Sequence, residues 1–221
     1  MTDWNFLFNR YIKRIRIEKG FRFKWFPAPI REPFLEPTIL TKGDIMIDVG
    51  ANVGGWTIPA SAFYQRVDAF EPNPEIRAVL NQNIKRNKID NVNVEPVALG
   101  DDWQDGRALY IYSISSRAHG SDSFLKGHMG YSSTGRTIRV PVRPLDYYNY
   151  RGISLMKVDT EGWEIPVLRG AKHNIAKHRP TLVIETHLPN DDERIIGMHP
   201  EYAFESIEQN GQIWLVGRYP R

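Results

Sequence analysis

The chain has 221 residues, 41% hydrophobic and 25% charged, which is the composition of one folded domain and excludes disordered and fibrous classes. The chain contains no apolar run of the roughly 20 residues that cross a bilayer, and the first 30 residues lack the apolar core of a signal peptide, so we expect a cytoplasmic protein. The absence of cysteine excludes disulfides, zinc-thiolate sites and thiol nucleophiles.

Positive charge is concentrated at the amino terminus. Residues 1–26 carry seven Lys or Arg and two acidic residues, whereas the whole chain has a net charge of +3. Apolar residues recur at steps of three and four between residues 3 and 19, which predicts an amphipathic helix, and "FRFKWF" then alternates aromatic and basic residues. We define residues 1–36 as a basic amphipathic arm and residues 37–221 as the main domain.

Three roles for the arm stay open. Its apolar face would dock on the main domain or on a second copy of the chain in a homodimer. A basic amphipathic helix also suits an anionic membrane surface, and basic residues interleaved with aromatic ones suit RNA. Either surface would be bound through residues 3–26.

The main domain alternates short β-branched runs with helical patterns, which predicts an α/β fold with a mostly parallel, twisted sheet and helices on both faces. In chain order, the pattern predicts a strand at 44–50, a helix at 56–64, a strand at 66–72 and a helix capped by Asn73. A strand at 91–99 follows, and then a strand pair in "ALYIYSI" and "TIRVPVR". The rest of the chain has a strand that runs into a helix in "ISLMKVDTEGWE", a strand in "PTLVIETH", a helix at 201–209 and a last strand in "QIWLVG".

The first predicted strand runs into a glycine-rich loop, "IDVGANVGGWT". A dinucleotide fingerprint has glycine at three positions, here taken by Gly50, Asn52 and Gly55, and its middle glycine lets the backbone touch the diphosphate. The Asn52 side chain obstructs that approach, so a nucleoside without phosphates fits better. Glu71, 19 residues later at the end of the second strand, is placed to accept hydrogen bonds from ribose hydroxyls. Glu71 alone suits NAD and S-adenosylmethionine equally.

The order of five motifs resembles the FkbM-type methyltransferase family over roughly residues 43–217, excluding the arm. The motifs are the glycine-rich loop, "FEPNP", "VALGD", "MKVDTEGWEIPVLRGA" and "RPTLVIETH". The resemblance implies a Rossmann-like class I methyltransferase fold and S-adenosylmethionine as the cofactor. It also implies O-methylation of a hydroxyl on a sugar, glycan or small molecule. Such sheets usually close with a strand hairpin, and because the chain ends soon after "QIWLVGRYPR" we expect the last antiparallel strand to be missing.

The resemblance also assigns cofactor-binding residues. The amino acid portion, the ribose and the adenine are assigned to Asp48, Gly50, Asn52, Gly54, Glu71 and Ala98, with Glu71 on the ribose and Ala98 beside the adenine. Asp48 has a structural alternative, in which it fixes the loop through hydrogen bonds.

Four polar residues at the ends of two predicted strands are candidate catalytic residues: Asp159, Glu161, Glu185 and His187. Methyl transfer to a hydroxyl needs alignment of the acceptor and a base for its proton. We place Asp159 beside the transferring methyl and His187 as the base, because an unperturbed imidazole has a pKa of about 6.5. The alternatives are helix capping, a buried ion pair, an exposed turn, or a divalent cation held by all four. We predict no metal.

The stretch from Ser113 to Gly135 is too long for a simple connection, and we predict that it covers the acceptor. Its candidate substrate-binding residues are His119, Asp122, Ser123 and Lys126. The alternative is a solvated loop that makes no contact. Two rival functions also stay open: an RNA ribose 2′-O-methyltransferase that uses the arm, and a binding module that keeps the cofactor pocket without turnover.

Overall fold

A computed structural model describes residues 40–112, 122–126, 136–209 and 211–220. The predicted arm, residues 1–36, and His119 lie outside the described residues. The strands in the described part are β1 (Gly43–Val49), β2 (Tyr64–Phe70), β3 (Val92–Glu95), β4 (Ala98–Leu99), β5 (Gln104–Tyr110), β6 (Thr137–Arg143), β7 (Leu155–Val158), β8 (Thr181–Thr186), β9 (Ala203–Gln209) and β10 (Gln212–Arg218). The helices are α1 (Thr57–Ala60), α2 (Pro74–Asn87), α3 (Glu164–Gly170), α4 (Lys172–His178) and α5 (Asp191–Met198).

The main sheet has seven strands in the order β3-β2-β1-β7-β8-β10-β9. The first five are parallel, so the predicted mostly parallel sheet is confirmed. The strand order reverses between β1 and β7, where Val49 lies opposite Val158. Chain segments that follow these two strands therefore meet at one edge of the sheet, which is where open α/β sheets bind ligands.

The carboxyl-terminal part of the sheet differs from the prediction. The segment predicted as a helix at 201–209 forms β9, and β10 runs antiparallel to both β8 and β9. The expected loss of the last antiparallel strand is therefore wrong, because β9 and β10 form the closing hairpin. Phe204 and Ile207 are spaced like one helical face, but full pairing with β10 decides the structure.

A second sheet of three strands has the order β4-β6-β5. The predicted pair is confirmed as β5 and β6, which run antiparallel. The predicted strand at 91–99 is divided at Pro96, which has no N–H to donate to a ladder. Its first half is β3 in the main sheet, and its second half is β4, which pairs with β6.

Helices cover both faces of the main sheet, as predicted. Ile47, Met156 and Ile184 pack on one face with residues of α3, α4 and α5. On the opposite face, Met46 and Leu155 pack with Ala60 of α1 and with the neighbouring tryptophans Trp56 and Trp214. The strands at the switch point are thus buried on both sides, which fixes the strand ends that carry the site.

The helix ends follow local sequence. Asn73 caps α2 as predicted, its side chain accepting a hydrogen bond of 2.9 Å from the N–H of Glu75. α1 is shorter than the predicted helix at 56–64. No helix among the described residues is long and apolar enough to span a membrane.

Candidate active site

The glycine-rich loop, residues 50–55, turns across the carboxyl ends of β2 and β7. The N–H groups of Gly50 and Ala51 both donate to the carbonyl oxygen of Phe70 at 3.1 Å. Gly50 has a φ of +74°, and a Cβ atom there would lie 1.9 Å from the carbonyl oxygen of Asp159. Only glycine lets β1 approach β7 this closely.

Two of the predicted cofactor residues, Asp48 and Gly54, do not line the pocket between Glu71 and Asp159. Gly54 packs on α2, where a Cβ atom would lie 2.8 Å from Leu80 Cδ1. Asp48 is fully buried and accepts a hydrogen bond of 2.5 Å from Thr57 Oγ1 in α1. The structural alternative for Asp48 therefore fits its surroundings better than direct contact with a ligand.

A buried lysine with no predicted role also lies under the loop. Lys157 of β7 is 1% exposed, and its Nζ donates to the carbonyl oxygen of Gly50 at 2.8 Å. The same ammonium lies 3.4 Å from a carboxylate oxygen of Asp48 and 3.4 Å from one of Asp159. It compensates two carboxylates that burial would otherwise penalise. A lysine inside the apolar run "LMKV" was the available sequence signal.

Glu71 is anchored by the backbone at the end of β2. One carboxylate oxygen accepts a hydrogen bond from the N–H of Asn52 and the other from the N–H of Asn73, each at 2.9 Å. A carboxylate oxygen has two acceptor sites, so each keeps one for a ligand hydroxyl. Burial raises the pKa of Glu71 to about 7, against the effect of these two hydrogen bonds.

An open pocket of about 660 Å³, including the part open to solvent, extends between Glu71 and Asp159. Of the residues predicted to contact the cofactor, Gly50, Asn52, Glu71 and Ala98 line it. Its apolar walls are formed by Val49, Phe70, Pro72, Ile76, Ala98, Leu99, Leu109, Phe124 and Trp163. The pocket thus offers an apolar surface for a flat ring beside an acidic group for a sugar.

The described segment 122–126 borders this pocket. Asp122 lies on the side of Glu71 and accepts a hydrogen bond of 2.6 Å from the side chain of Asn73. Ser123 is buried and donates to the carbonyl oxygen of Glu161 at 2.7 Å. Lys126 is exposed and does not line the pocket. Substrate contact by these residues stays a prediction, and the position of Asp122 favours the cofactor end.

The four predicted catalytic residues come together at the ends of β7 and β8. His187 Nε2 lies 3.5 Å from Glu185 Oε1, 3.6 Å from Glu161 Oε2 and 3.8 Å from Asp159 Oδ1. These separations are longer than hydrogen bonds. The side chains of Asp159 and Glu161 are 22% and 20% exposed and line the pocket, whereas those of Glu185 and His187 are 4% exposed.

Glu164, which no prediction included, organises this cluster from behind. Its Oε1 accepts hydrogen bonds from His187 Nδ1 at 3.1 Å and from the N–H groups of Thr160 and Gly162 at 3.0 and 3.1 Å. The turn that carries Glu161, whose φ is +52°, is held by these bonds. Glu164 begins α3 and looks in sequence like an ordinary acidic residue of a first helical turn.

The charges of the cluster change the expected role of His187. Burial disfavours the charged imidazole, but the hydrogen bond and charge of Glu164, with the charges of Asp159 and Glu185, raise the pKa of His187 to about 10. Burial and the charge of Asp159 also raise the pKa of Glu185. A raised pKa does not favour His187 as a neutral base, and its catalytic role stays a prediction.

Comparison with known proteins gives the family. Residues 48–214 match the model of the methyltransferase FkbM domain. The chain belongs to the FkbM methyltransferase family. A methyltransferase FkbM from Methylobacillus flagellatus KT is similar in structure, with a TM-score of 0.58 and 19% identity over 83% of this chain and 46% of that chain. This FkbM methyltransferase thus spans less than half the length of that protein. No curated protein matches the sequence.

Two further solved structures share the fold. An rRNA methylase from Streptococcus thermophilus has a TM-score of 0.52 and 12% identity, over 83% of this chain and 91% of that chain. The Streptococcus mutans protein SMU.1697c, solved in complex with SAH (S-adenosylhomocysteine), has a TM-score of 0.50 and 11% identity, over 82% of this chain and 92% of that chain. At these identities the likeness shows the Rossmann-like methyltransferase fold alone.

Membership of the FkbM methyltransferase family, and a neighbour solved with SAH, are consistent with S-adenosylmethionine as the cofactor. The pocket fits it on its own chemistry, because Glu71 keeps acceptor capacity for two ribose hydroxyls and apolar side chains provide a wall for adenine. The glycine-rich loop binds no phosphate in such a complex, which agrees with Asn52 at its middle position. The individual residue assignments remain predictions.

Proposed function

We propose that this FkbM methyltransferase methylates a hydroxyl oxygen of a sugar, a glycan or a small molecule. The observation that supports this proposal is the cluster of Asp159, Glu161, Glu185 and His187 at the cofactor pocket. A hydroxyl acceptor must lose its proton as the new bond forms, and a placed base contributes roughly 10²–10⁴-fold to the rate. The cluster supplies several carboxylates for that proton.

S-adenosylmethionine supplies a methyl group on a positively charged sulfur. In the transfer the acceptor oxygen would form a C–O bond as the C–S bond breaks with its electron pair left on the sulfur, and the hydroxyl proton would pass to a carboxylate of the cluster. Asp159 and Glu161 are the proposed proton acceptors, since they line the pocket. The ring of His187 and the ammonium of Lys157 lie 3.4–3.8 Å from these carboxylates and hold them in position.

The 113–135 stretch is proposed to bind the acceptor, as the sequence predicts. Among its described residues, Ser123 connects this stretch to the turn of Glu161. Contact of His119 with the acceptor stays a prediction, and Lys126, exposed outside the pocket, would reach only an acceptor that extends beyond it.

The test is a transfer assay with methyl-labelled S-adenosylmethionine, the full chain, and a panel of sugars, glycans, small alcohols and short RNAs. We expect a label in an ether that survives mild base, and roughly 10²–10⁴-fold less of it with Asp159→Asn. Asp105→Asn is the control, because that side chain is 85% exposed and does not line the pocket. Label on nitrogen or carbon contradicts the proposal.

RNA ribose 2′-O-methylation is a second candidate function, because the basic and aromatic residues of the arm favour RNA as a partner. In that case only the RNAs accept label, and removal of residues 1–36 or a rise in salt abolishes transfer, because phosphate contacts weaken steeply with ionic strength. Transfer to a sugar that is indifferent to salt supports the first proposal. SAH binding without transfer to any acceptor supports the binding module.

A further inference from the structure

We propose that Asp159, Glu161 and His187, with Glu185 as the neighbouring fourth ligand, form a binding site for a divalent metal ion. This inference differs from the sequence prediction of no metal. The role that it gives the ion rests on the proposed methylation of a hydroxyl, because the site lies where that hydroxyl would bind.

The spacing of the polar atoms suits a metal ion better than it suits hydrogen bonding. One ligand atom from each of Asp159, Glu161 and His187 lies within 4.8 Å of the other two. His187 Nε2 lies 3.5–3.8 Å from all three carboxylates. Ligands bound at about 2.1 Å stand about 3.0 Å apart in an octahedral site and about 3.4 Å apart in a tetrahedral one. The distances to His187 are a few tenths of an ångström longer than a metal site requires, and the wider separations in this group, up to 4.8 Å, would have to shorten further unless two ligands stood on opposite sides of the ion.

The hydrogen bond behind the ring presents Nε2 to the cluster. Glu164 Oε1 already accepts from two backbone N–H groups, and His187 Nδ1 donates to the same oxygen at 3.1 Å. Nδ1 keeps its proton, and binding of an ion would displace any proton on Nε2, so that this nitrogen offers its lone pair. A carboxylate behind a histidine ligand is the usual outer-shell partner of a protein metal site, because it fixes the tautomer and orients the ring.

Glu185 provides a second, independent observation that favours a cation at this site. Its side chain is 4% exposed, and its carboxylate accepts no hydrogen bond from any described residue. A buried carboxylate without hydrogen bonds is costly unless a charge compensates it. The nearest positive group is the imidazole of His187 at 3.5 Å, and that one ring faces two further carboxylates as well. Lys157 Nζ, 3.4 Å from Asp159, offsets part of this negative charge, and a divalent ion would add positive charge directly beside Glu185.

Oxygen ligands together with one imidazole indicate a borderline cation, since carboxylates suit Mg²⁺, Ca²⁺ and Mn²⁺ and imidazole suits the first-row transition metals. Mn²⁺ meets both preferences and is our probe. Each carboxylate needs one oxygen for the ion and keeps the other for the acceptor proton. An acceptor hydroxyl that completes the coordination would lose its proton more readily, as water does on metal ions.

The experiment titrates the metal-stripped full chain with Mn²⁺ alone, followed by calorimetry and by the Mn²⁺ electron paramagnetic resonance signal. We expect one saturable site in the wild-type protein. Glu185→Gln and His187→Gln should each weaken binding by roughly tenfold or more. The melting temperature of the wild-type protein should rise with Mn²⁺, and that of Glu185→Gln should not.

Two control variants separate this site from the cofactor site. Glu71→Gln changes a buried carboxylate of the same pocket and should lose SAH affinity while it keeps Mn²⁺ affinity. Glu205→Gln, an exposed carboxylate of β9, should keep both. Retained SAH binding shows that Glu185→Gln and His187→Gln are folded. An absence of saturable Mn²⁺ binding, or binding that both site variants retain, overturns the metal site. Neither result touches the proposed function, which is tested by the transfer assay.

Discussion

The two ends of the pocket are built in opposite ways. At the cofactor end, both oxygens of Glu71 are fixed by backbone N–H groups, and apolar side chains form the walls. At the other end, three carboxylates face one imidazole at 3.5–3.8 Å, without hydrogen bonds to the ring nitrogen that they face. At the cofactor end, the hydrogen-bond acceptors and the apolar walls are thus already in position for a nucleoside. At the other end, the negative charge of the carboxylates suits a group that brings positive charge, such as a proton in transfer or a metal ion.

The largest expected effect concerns Gly50, which lies between the two ends of the pocket. Gly50→Ala places a Cβ atom 1.9 Å from the backbone oxygen of Asp159, at a φ of +74°. We expect a loss of more than about 4 kcal/mol in the free energy of unfolding, because backbone cannot move aside as a side chain does. Urea denaturation measures it.

Gly211→Ala is the matched control, since Gly211 has a φ of +79° but no atom within 4 Å of the added Cβ. It should cost only the conformational penalty of about 1–2 kcal/mol. Equal losses for the two variants would show that strained backbone alone, and not contact between β1 and β7, makes Gly50 necessary.

The next effect concerns the buried lysine between the two ends. Lys157→Met removes the ammonium from Asp48 and Asp159 and leaves buried charge uncompensated, so we expect a loss of about 3–5 kcal/mol in the free energy of unfolding. Lys85→Met, on the exposed face of α2, should change it by less than about 0.5 kcal/mol. A Lys157 variant as stable as the wild type would mean that the two carboxylates do not need the ammonium.

A smaller effect should appear in the pH dependence of cofactor binding. Burial raises the pKa of Glu71 to about 7, so the carboxylate that accepts ribose hydroxyls forms only above that pH. SAH affinity should rise roughly tenfold between pH 6 and 8, as ionisation of a group with this pKa does. Glu71→Gln should be weak and flat over the same range. A flat wild-type profile would mean that Glu71 does not ionise between pH 6 and 8.

The same shift also predicts a change in stability. The folded pKa lies above the ordinary value of 4.5, so the folded state holds the proton more tightly than the unfolded state. The contribution of Glu71 to the free energy of unfolding is therefore full below pH 4.5, and it is lost as the pH rises to about 7. The slope of unfolding free energy against pH in that window should be smaller in Glu71→Gln than in the wild type.

The smallest expected effect tests the position of Asp122 at the cofactor end. The charge of Asp122 contributes to the raised pKa of Glu71. Asp122→Asn should move the midpoint of the SAH pH profile to lower pH by a few tenths of a unit and leave its shape unchanged. An unchanged midpoint, with transfer to an acceptor lost instead, would move Asp122 to the acceptor end, where the sequence had placed it.

How far sequence predicts this molecule depends on whether a feature is local. The strands around the switch point, the Asn73 cap and the meeting of Asp159 with Glu185 follow from apolar runs and from where these runs end. β9 does not, because its pairing partner lies beyond a turn, and its own pattern fits a helix as well. Lys157 and Glu164 were missed for another reason. Burial and partners, not residue type or spacing, make them part of the site.

We propose that the pocket binds an S-adenosyl nucleoside through Glu71, and that Asn52, in place of the glycine that approaches a diphosphate, disfavours a dinucleotide. The most direct test is calorimetric titration of the full chain with SAH and, in parallel, with NAD, for the wild type and for Glu71→Gln. We predict saturable binding of SAH by the wild type, weakened by roughly 10–100-fold in the variant, and no binding of NAD. Binding of NAD, or SAH binding that does not depend on Glu71, would contradict the account.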